Sequence, residues 1–299
     1  MRFMFQYPDV TGTDIDMLDC GPVDEVARAA EDAGFMGFAF TEHPAPGAKW
    51  LMSGGHQSLD PFVGLAYAAA ATTKIRLLTY LSVVPYRNPL LLAKSAATVD
   101  KISGGRFILG VGTGYLKGEF HALGADFDER NALFDEALDV LPQHWSGEPF
   151  SYQGRHFEAR DVVGRPRPVQ LPIPIWIGGN SALTRRRVAE RAQGWMPLSG
   201  TPELFRTTRT APLDEKKELT AAIADLRAAA GDRGQSLDVM VAHTDLGIAD
   251  PDADLAKHAE QFAAYEAAGA TWVMIPGATY TRRDTLDFLE RFGSSVIGA

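Results

Sequence analysis

Cys20 is the only cysteine in 299 residues, so no disulfide can form within one chain and no thiolate metal cluster can be built from it. That scarcity fits a reducing cytoplasm. Dense Lys/Arg blocks are missing too, and the formal net charge is −9, a field that repels a phosphate backbone and argues against nucleic acid as a partner. No apolar run reaches the ~18 residues a membrane span needs. The opening Met1-Arg2-Phe3-Met4-Phe5-Gln6-Tyr7-Pro8-Asp9 turns polar too early for a signal peptide, so neither secretion nor membrane insertion is expected. Several chemical signatures are absent as well. A dinucleotide fingerprint needs Gly at i, i+2 and i+5, yet Gly110 and Gly112 lead to Tyr115, and Gly112 and Gly114 lead to Lys117. There is no Gly-Lys dipeptide for a phosphate loop, no His-Glu-x-x-His and no Gly-x-Ser-x-Gly. Reducing equivalents, if used, must arrive on a cofactor or substrate that fits the fold's own pocket.

What is present is a soluble globular balance, 45% hydrophobic and 22% charged, arranged as a repeating strand-helix unit. Arg2 to Tyr7 reads as a strand and Pro22 to Ala33 as its helix, with Pro22 suited to the first turn and Gly34 to the position after the end. Phe35 to Phe40 pairs with Pro61 to Ala71, and Ile75 to Val84 with Leu90 to Ile102. Phe107 to Val111 is the fourth strand, followed by a long helix that Asp128 is placed to cap. Ser146 to Pro174, rich in Gly, Pro and aromatics, suits an inserted hairpin. Ile173 to Ile177, a helix Ala182 to Ala192 capped by Ser181, and Trp195 to Leu198 resume the rhythm. Leu219 to Ala230, Leu237 to Ile248, Leu255 to Ala268, Trp272 to Ile275 and Leu286 to Phe292 complete eight pairs. The count favours an α/β fold of one (β/α)8 TIM barrel over residues 1–299, with an insertion between strands four and five, although a doubly wound open sheet shares the local alternation. Ser199 to Lys217, with Gly200, Pro202 and Pro212 and little periodicity, is expected to be a long loop after strand six, poorly ordered without cofactor.

In such a barrel the C-terminal strand ends face the pocket. Thr41-Glu42-His43 ends the second strand; a carboxylate beside an imidazole is a proton-transfer candidate, and a polar surface loop is the alternative. Gly110-Val111-Gly112-Thr113-Gly114-Tyr115 ends the fourth, where missing side chains let a flat ring or a phosphate approach, or simply allow a tight corner. Gly178-Gly179-Asn180-Ser181 precedes a helix, which makes it an anion site or a plain N-cap.

These residues carry a resemblance. Thr41-Glu42-His43, the run from Asn88-Pro89 through Lys94, Asp100 and Ser103-Gly104-Gly105-Arg106 to Gly114, and Glu129-Arg130 resemble the luciferase-like monooxygenase superfamily. Trp145-Ser146-Gly147, Pro174 through Ser181 and Gly194-Trp195-Met196-Pro197 extend the likeness over residues 1 to 200. Within the superfamily the chain is most similar to members that use the deazaflavin coenzyme F420. The resemblance implies a ring system in the barrel mouth, with His43 as acid/base, Glu42 adjacent, and Thr41, Thr79, Tyr80 and Leu81 around the ring. It also implies a non-proline cis peptide at Tyr80-Leu81 or, one residue earlier, at Thr79-Tyr80. Gly112, Thr113 and Gly114 would line the cofactor's polar chain, and Gly178, Gly179, Asn180 and Ser181 would bind ring edge or phosphate.

The implied reaction is hydride transfer between coenzyme F420 and a small organic substrate. Two other readings stay open: a monooxygenase using reduced FMN supplied by a separate reductase, and a flavin-binding barrel without turnover. Arg185, Arg186 and Arg187, with Arg206 and Arg209 on the long loop, lean toward F420, whose tail carries a phosphodiester and glutamate carboxylates; a solvated helix face is the plainer explanation. A homodimer is also implied by the resemblance.

Overall fold

The computed structural model describes residues 1–11, 14–200, 202–213 and 216–298. Eight parallel strands form a closed ring: β1 (Arg2–Gln6), β2 (Gly37–Phe40), β3 (Arg76–Thr79), β4 (Phe107–Gly112), β5 (Ile175–Gly178), β6 (Gly194–Met196), β7 (Asp238–Ala242) and β8 (Trp272–Pro276). β1 pairs with both β2 and β8, Phe5 lying opposite Phe38 and Ile275, and the ring closes where Leu77 and Leu78 of β3 meet Phe107 and Ile108 of β4.

Alternation along each strand builds two layers. Phe3, Phe5, Val239, Val241, Val273 and Ile275 point outward to the helices, whereas Met4, Met240, Trp272 and Met274 point inward to join Ala39, Leu78, Ile108, Trp176 and Met196 in the barrel interior. This is a packed core rather than a pore. Its N-terminal end is sealed: the Arg2 guanidinium lies 4.5 Å over the Trp272 ring and pairs with Asp238. Glycines are needed where strands crowd, since a Cβ on Gly110 would sit 1.9 Å from the Thr79 carbonyl oxygen.

The helices follow their strands as α1 (Val23–Asp32), α2 (Pro61–Ala71), α3 (Pro89–Ile102), α4 (Arg130–Ser146), α5 (Ala182–Arg191), α6 (Lys216–Ala229), α7 (Leu255–Ala267) and α8 (Arg282–Phe292). Asp60 caps α2, Asn88 caps α3 and Ser181 caps α5, each by accepting first-turn amides. Pro22 stands at the N-cap position of α1, one residue before the turn expected for it. Asp128 does not cap α4: Glu129 holds that position without a side-chain bond to the first-turn amides, and the Asp128 amide is instead drawn to Asp126 at 2.8 Å in the preceding turn. The insertion is an antiparallel hairpin, Phe150–Gln153 with Glu158–Val162. Buried Glu136 of α4 holds its tip by accepting the amides of Arg155, His156 and Phe157.

Two further expectations change. The third strand stops at Thr79, and Ser82–Val83 pairs separately with β4 beyond a cis Tyr80-Leu81 peptide. The segment after β6 is not a bare loop: it carries the helix Pro202–Thr208, anchored by Phe205 at 3% exposure. One buried side chain among those described in this helix is too little to leave an apolar stripe, so the periodicity missed it. Residues 201, 214 and 215 of that segment lie outside the described residues. No described helix is long and apolar enough to cross a membrane.

Just past β7, buried His243 makes a 3.0 Å ring contact with His258 of α7. Burial first, with His258 adding, lowers its imidazole from 6.5 to about 4 despite the opposing Asp245 carboxylate. The unfolded chain therefore takes up this proton before the folded one. Stability should be complete above pH 6.5 and should fall by about 3 kcal/mol as pH drops toward 4. Denaturant midpoints measured across that range should show the loss, and His243→Gln should flatten it; an unchanged slope in the variant contradicts the assignment.

Candidate functional site

At the C-terminal end of the ring, Gln6, Thr41, Tyr80, Leu81, Thr113, Gly178 and Ala242 are partly exposed above the buried interior. His43 follows β2 into this rim with its side chain only 9% exposed. Its Nδ1 lies 3.2 Å from Oε2 of Glu119, which sits on the short helix Lys117–Ala122 after β4 and is 1% exposed. The same oxygen accepts the Tyr86 hydroxyl at 2.9 Å, and Oε1 accepts the Ala45 amide at 3.2 Å. A carboxylate only accepts, so the His43 contact requires a proton on Nδ1, and in a neutral imidazole the lone pair is then on Nε2. Trp50 packs against the His43 ring at 4.6 Å, with His56 at 4.9 Å and Tyr115 at 6.0 Å.

Glu42 points elsewhere. It is 4% exposed and accepts the Val83 amide at 2.7 Å, Arg87 Nη1 at 2.8 Å, a second Arg87 nitrogen and the Ser82 hydroxyl. It therefore binds the loop after β2 to the loop after β3 and makes no bond to the His43–Glu119 pair. A further carboxylate, Asp9 beyond β1, accepts Thr41 Oγ1 at 2.9 Å and Gln6 Nε2 at 2.5 Å and lies 3.4 Å from His56. Burial pushes its carboxyl up, against the pull of His56 and the Thr41 hydrogen bond. Burial also pushes the Tyr80 phenol to about 12, with Asp9 adding, and Tyr115 to about 12, with Glu119 adding. Tyr86 moves upward for the same reasons. All of these phenols remain protonated donors at neutral pH.

The glycines serve packing at least as much as ligand access. A Cβ on Gly112 would meet Leu81 at 2.6 Å and one on Gly178 would meet it at 2.7 Å, so the two glycines form the seat of Leu81. Gly114 (φ +76°) and Gly179 (φ +115°) sit in backbone that side chains rarely adopt. Thr79 is fully buried and gives its hydroxyl to the Gly110 carbonyl at 2.7 Å, and Thr113 stays on the rim. Asn180 is 2% exposed and fully occupied: Nδ2 donates to the Leu198 and Ala211 carbonyls, each at 2.8 Å, and Oδ1 accepts the Leu198 amide at 2.8 Å. It pins the segment after β6 to the end of β5. Ser181 caps α5, accepting the Thr184 amide at 3.0 Å. Of the α5 arginines, Arg187 is buried on Asp135 and Asn131, Arg185 bonds the Asn180 carbonyl, and Arg186 is exposed.

Sequence reasoning singled out His43 but not Glu119, Asp9, His56 or Trp50. The Glu119 partner comes from 76 residues away, a separation no local motif reports. A signal was available in part: a lone Glu between Gly118 and Phe120 immediately after the fourth strand stands where barrel chemistry gathers.

Comparisons with known proteins agree with the fold. A family model described as luciferase-like monooxygenase matches residues 9–287. An uncharacterised protein of Mycobacterium tuberculosis (strain ATCC 25618 / H37Rv) is 32% identical over 221 residues, covering 70% of this chain and 74% of that one. An FMNH(2)-dependent dimethylsulfone monooxygenase from Pseudomonas putida is 27% identical over 252 residues, 81% of this chain and 64% of the relative. The solved coenzyme F420 dependent tetrahydromethanopterin reductase from Methanopyrus kandleri shares the fold at a TM-score of 0.70 and 18% identity, covering 99% of this chain and 98% of that one.

The seat of Leu81 yields a stability test. Gly112→Ala and Gly178→Ala should each cost about 1–3 kcal/mol through overpacking. In a Leu81→Ala background either change should cost far less, a coupling readable in a double-mutant denaturation cycle. Additive costs would show that Leu81 is not what occupies those spaces.

Proposed function

We propose that this chain, which belongs to the luciferase-like monooxygenase family, is an oxidoreductase that uses coenzyme F420 to exchange a hydride with a small organic substrate while His43 handles the accompanying proton. The observation that supports this reading is the His43–Glu119 contact at 3.2 Å in a nearly closed corner of the barrel mouth. An imidazole oriented by a buried carboxylate suits a reaction in which a proton must come or go at a defined atom.

The residues present fit a planar ring with an anionic tail. Met196, Trp176 and Met274 give an apolar platform below the rim, partly exposed Tyr80 and Leu81 stand above it, and α5 opens with first-turn amides beside Ser181. When bound, the deazaflavin supplies a two-electron hydride carrier. Glu119 holds His43 so that Nε2 is free to take or return the substrate proton. Tyr86 and the Ala45 amide keep that carboxylate in place. Trp50 and Tyr115 flank the imidazole and exclude water from it. Glu42, through Arg87, fixes the loops that carry these groups and is a positioning residue. A second reading, a monooxygenase working with reduced FMN from a separate reductase, is favoured by the Pseudomonas putida relative.

Side-by-side titrations decide between cofactors: F420 should bind at least tenfold more tightly than FMN, and equal or reversed affinities would select the monooxygenase reading. With the favoured cofactor saturating, His43→Ala should slow single-turnover transfer by 10²- to 10⁴-fold. Cofactor binding should change by less than about tenfold, as loss of one hydrogen bond implies. A loss of rate below about fivefold removes His43 from the reaction.

A further inference from the structure

Two imidazoles, not one, line the proton-transfer corner. His56, on the loop between β2 and α2, packs edge-on against the His43 ring at 4.9 Å and 79°. Trp50 lies against both, 4.6 Å from His43 and 5.5 Å from His56. A Cβ on Gly55 would collide with the Trp50 ring, so the glycine before His56 lets the indole cover the pair. His56 is oriented as His43 is. Its Nδ1 lies 3.0 Å from the Gln57 carbonyl and 3.4 Å from Oδ2 of Asp9. A carbonyl only accepts, so a neutral His56 carries its proton on Nδ1 and its lone pair on Nε2. The turn itself is tied to the loop after β1, because the Gln57 amide donates to the Val10 carbonyl at 2.8 Å and Thr11 bridges to His56.

The two imidazole-carboxylate pairs differ in their access to water. Side-chain exposure is 9% for His43 and 1% for Glu119, against 23% for His56 and 14% for Asp9. A group that takes or gives a proton in each cycle must be reset from solvent, and His43 is walled by Trp50, Tyr115 and its own carboxylate. Glu119 is no outlet, being buried and committed to His43, Tyr86 and the Ala45 amide. Tyr115, its phenol pushed up to about 12 by burial with Glu119 adding, keeps its proton at neutral pH. Among the described residues set against the His43 ring, this leaves His56. Rings so close exchange a proton directly or through one bridging water. Behind His56, Asp9 is pushed upward by burial against the pull of both imidazoles and of its hydrogen bonds from Thr41 and Gln6, so it takes a proton more readily than a surface aspartate does.

We propose that His56, backed by Asp9, carries the proton between His43 and solvent. A proton that His43 has taken on Nε2 passes to Nε2 of His56, and His56 then yields one proton to water, from Nε2 or from Nδ1 by way of Asp9. Both imidazoles end neutral and one proton has reached the bulk; the reverse sequence charges His43. The relay rests on the reading of His43 as the proton-handling group and adds the route by which it is reset.

The test uses the cofactor-free protein, so its outcome depends on neither cofactor nor substrate. Nitrogen-15 relaxation dispersion of histidine-labelled protein, recorded within the His43 titration, measures how fast that ring exchanges its proton with solvent. His56→Ala should slow the exchange by about tenfold or more. Imidazole added to the buffer should restore the rate in proportion to its concentration. Pyrazole, of the same shape but a far weaker base, should not, since it refills the space without carrying a proton. Asp9→Asn keeps the side-chain shape and should slow the exchange in the same direction, which keeps the test available if His56→Ala fails to fold. An unchanged rate in the variants, or equal rescue by pyrazole, overturns the relay and leaves the role of His43 standing. Slowed exchange with imidazole rescue supports the relay even if His43→Ala leaves turnover intact, a result that would remove only the reading of the reaction.

Discussion

One buried carboxylate organises the barrel mouth. Glu119 rises on the helix after β4 and gathers donors from the loops after β2 and β3: His43 and the Ala45 amide from one, Tyr86 from the other. At 1% exposure it has no water to replace a lost partner, so these contacts hold as a set. Glu42 repeats the device one layer over, joining the same two loops through Arg87 and the Val83 amide. Between them the two carboxylates convert flexible crossover loops into a fixed wall, and the orientation of the His43 ring follows from that wall.

The neighbouring part of the rim depends on absence of side chains. Leu81 sits in the spaces left at Gly112 and Gly178, and Asn180 commits its side chain to tying the segment after β6 in place. The rim is therefore closed by packing on one side and by buried ionic contacts on the other. Its floor of Met196, Trp176 and Met274 is adaptable, since thioethers conform to irregular shapes. Barrels of this kind can carry different chemistries by varying the loops at the strand ends, and the fold is shared with a coenzyme F420 dependent reductase while an FMNH(2)-dependent monooxygenase is similar in sequence.

Strand-helix rhythm was legible because it is local: α2 and the capped start of α5 occur where composition and caps place them. Ring closure was legible as a count, and the sheet is indeed closed. The end of the third strand was not, because Ile75 to Val84 reads as one unbroken β-prone run. The helix Pro202–Thr208 was hidden by having a single buried anchor in Phe205. At the site, adjacency does not report contact: Glu42 is next to His43 in sequence yet bonds Val83 and Arg87, since neighbouring side chains at a strand end point to opposite sides. The partner in space, Glu119, comes from another loop, and only tertiary structure brings them together.

The claim on which the account turns is the protonation pattern of His43. In a neutral His43, a carboxylate at Nδ1 requires the less common tautomer, with the proton on Nδ1 and none on Nε2. Nitrogen-15 chemical shifts of histidine-labelled protein, assigned by loss of the signal in His43→Ala and read above the imidazole titration, report this directly. A protonated Nδ1 with an unprotonated Nε2, lost in Glu119→Gln, is the expected result. A proton on Nε2 in the wild-type protein would contradict the account.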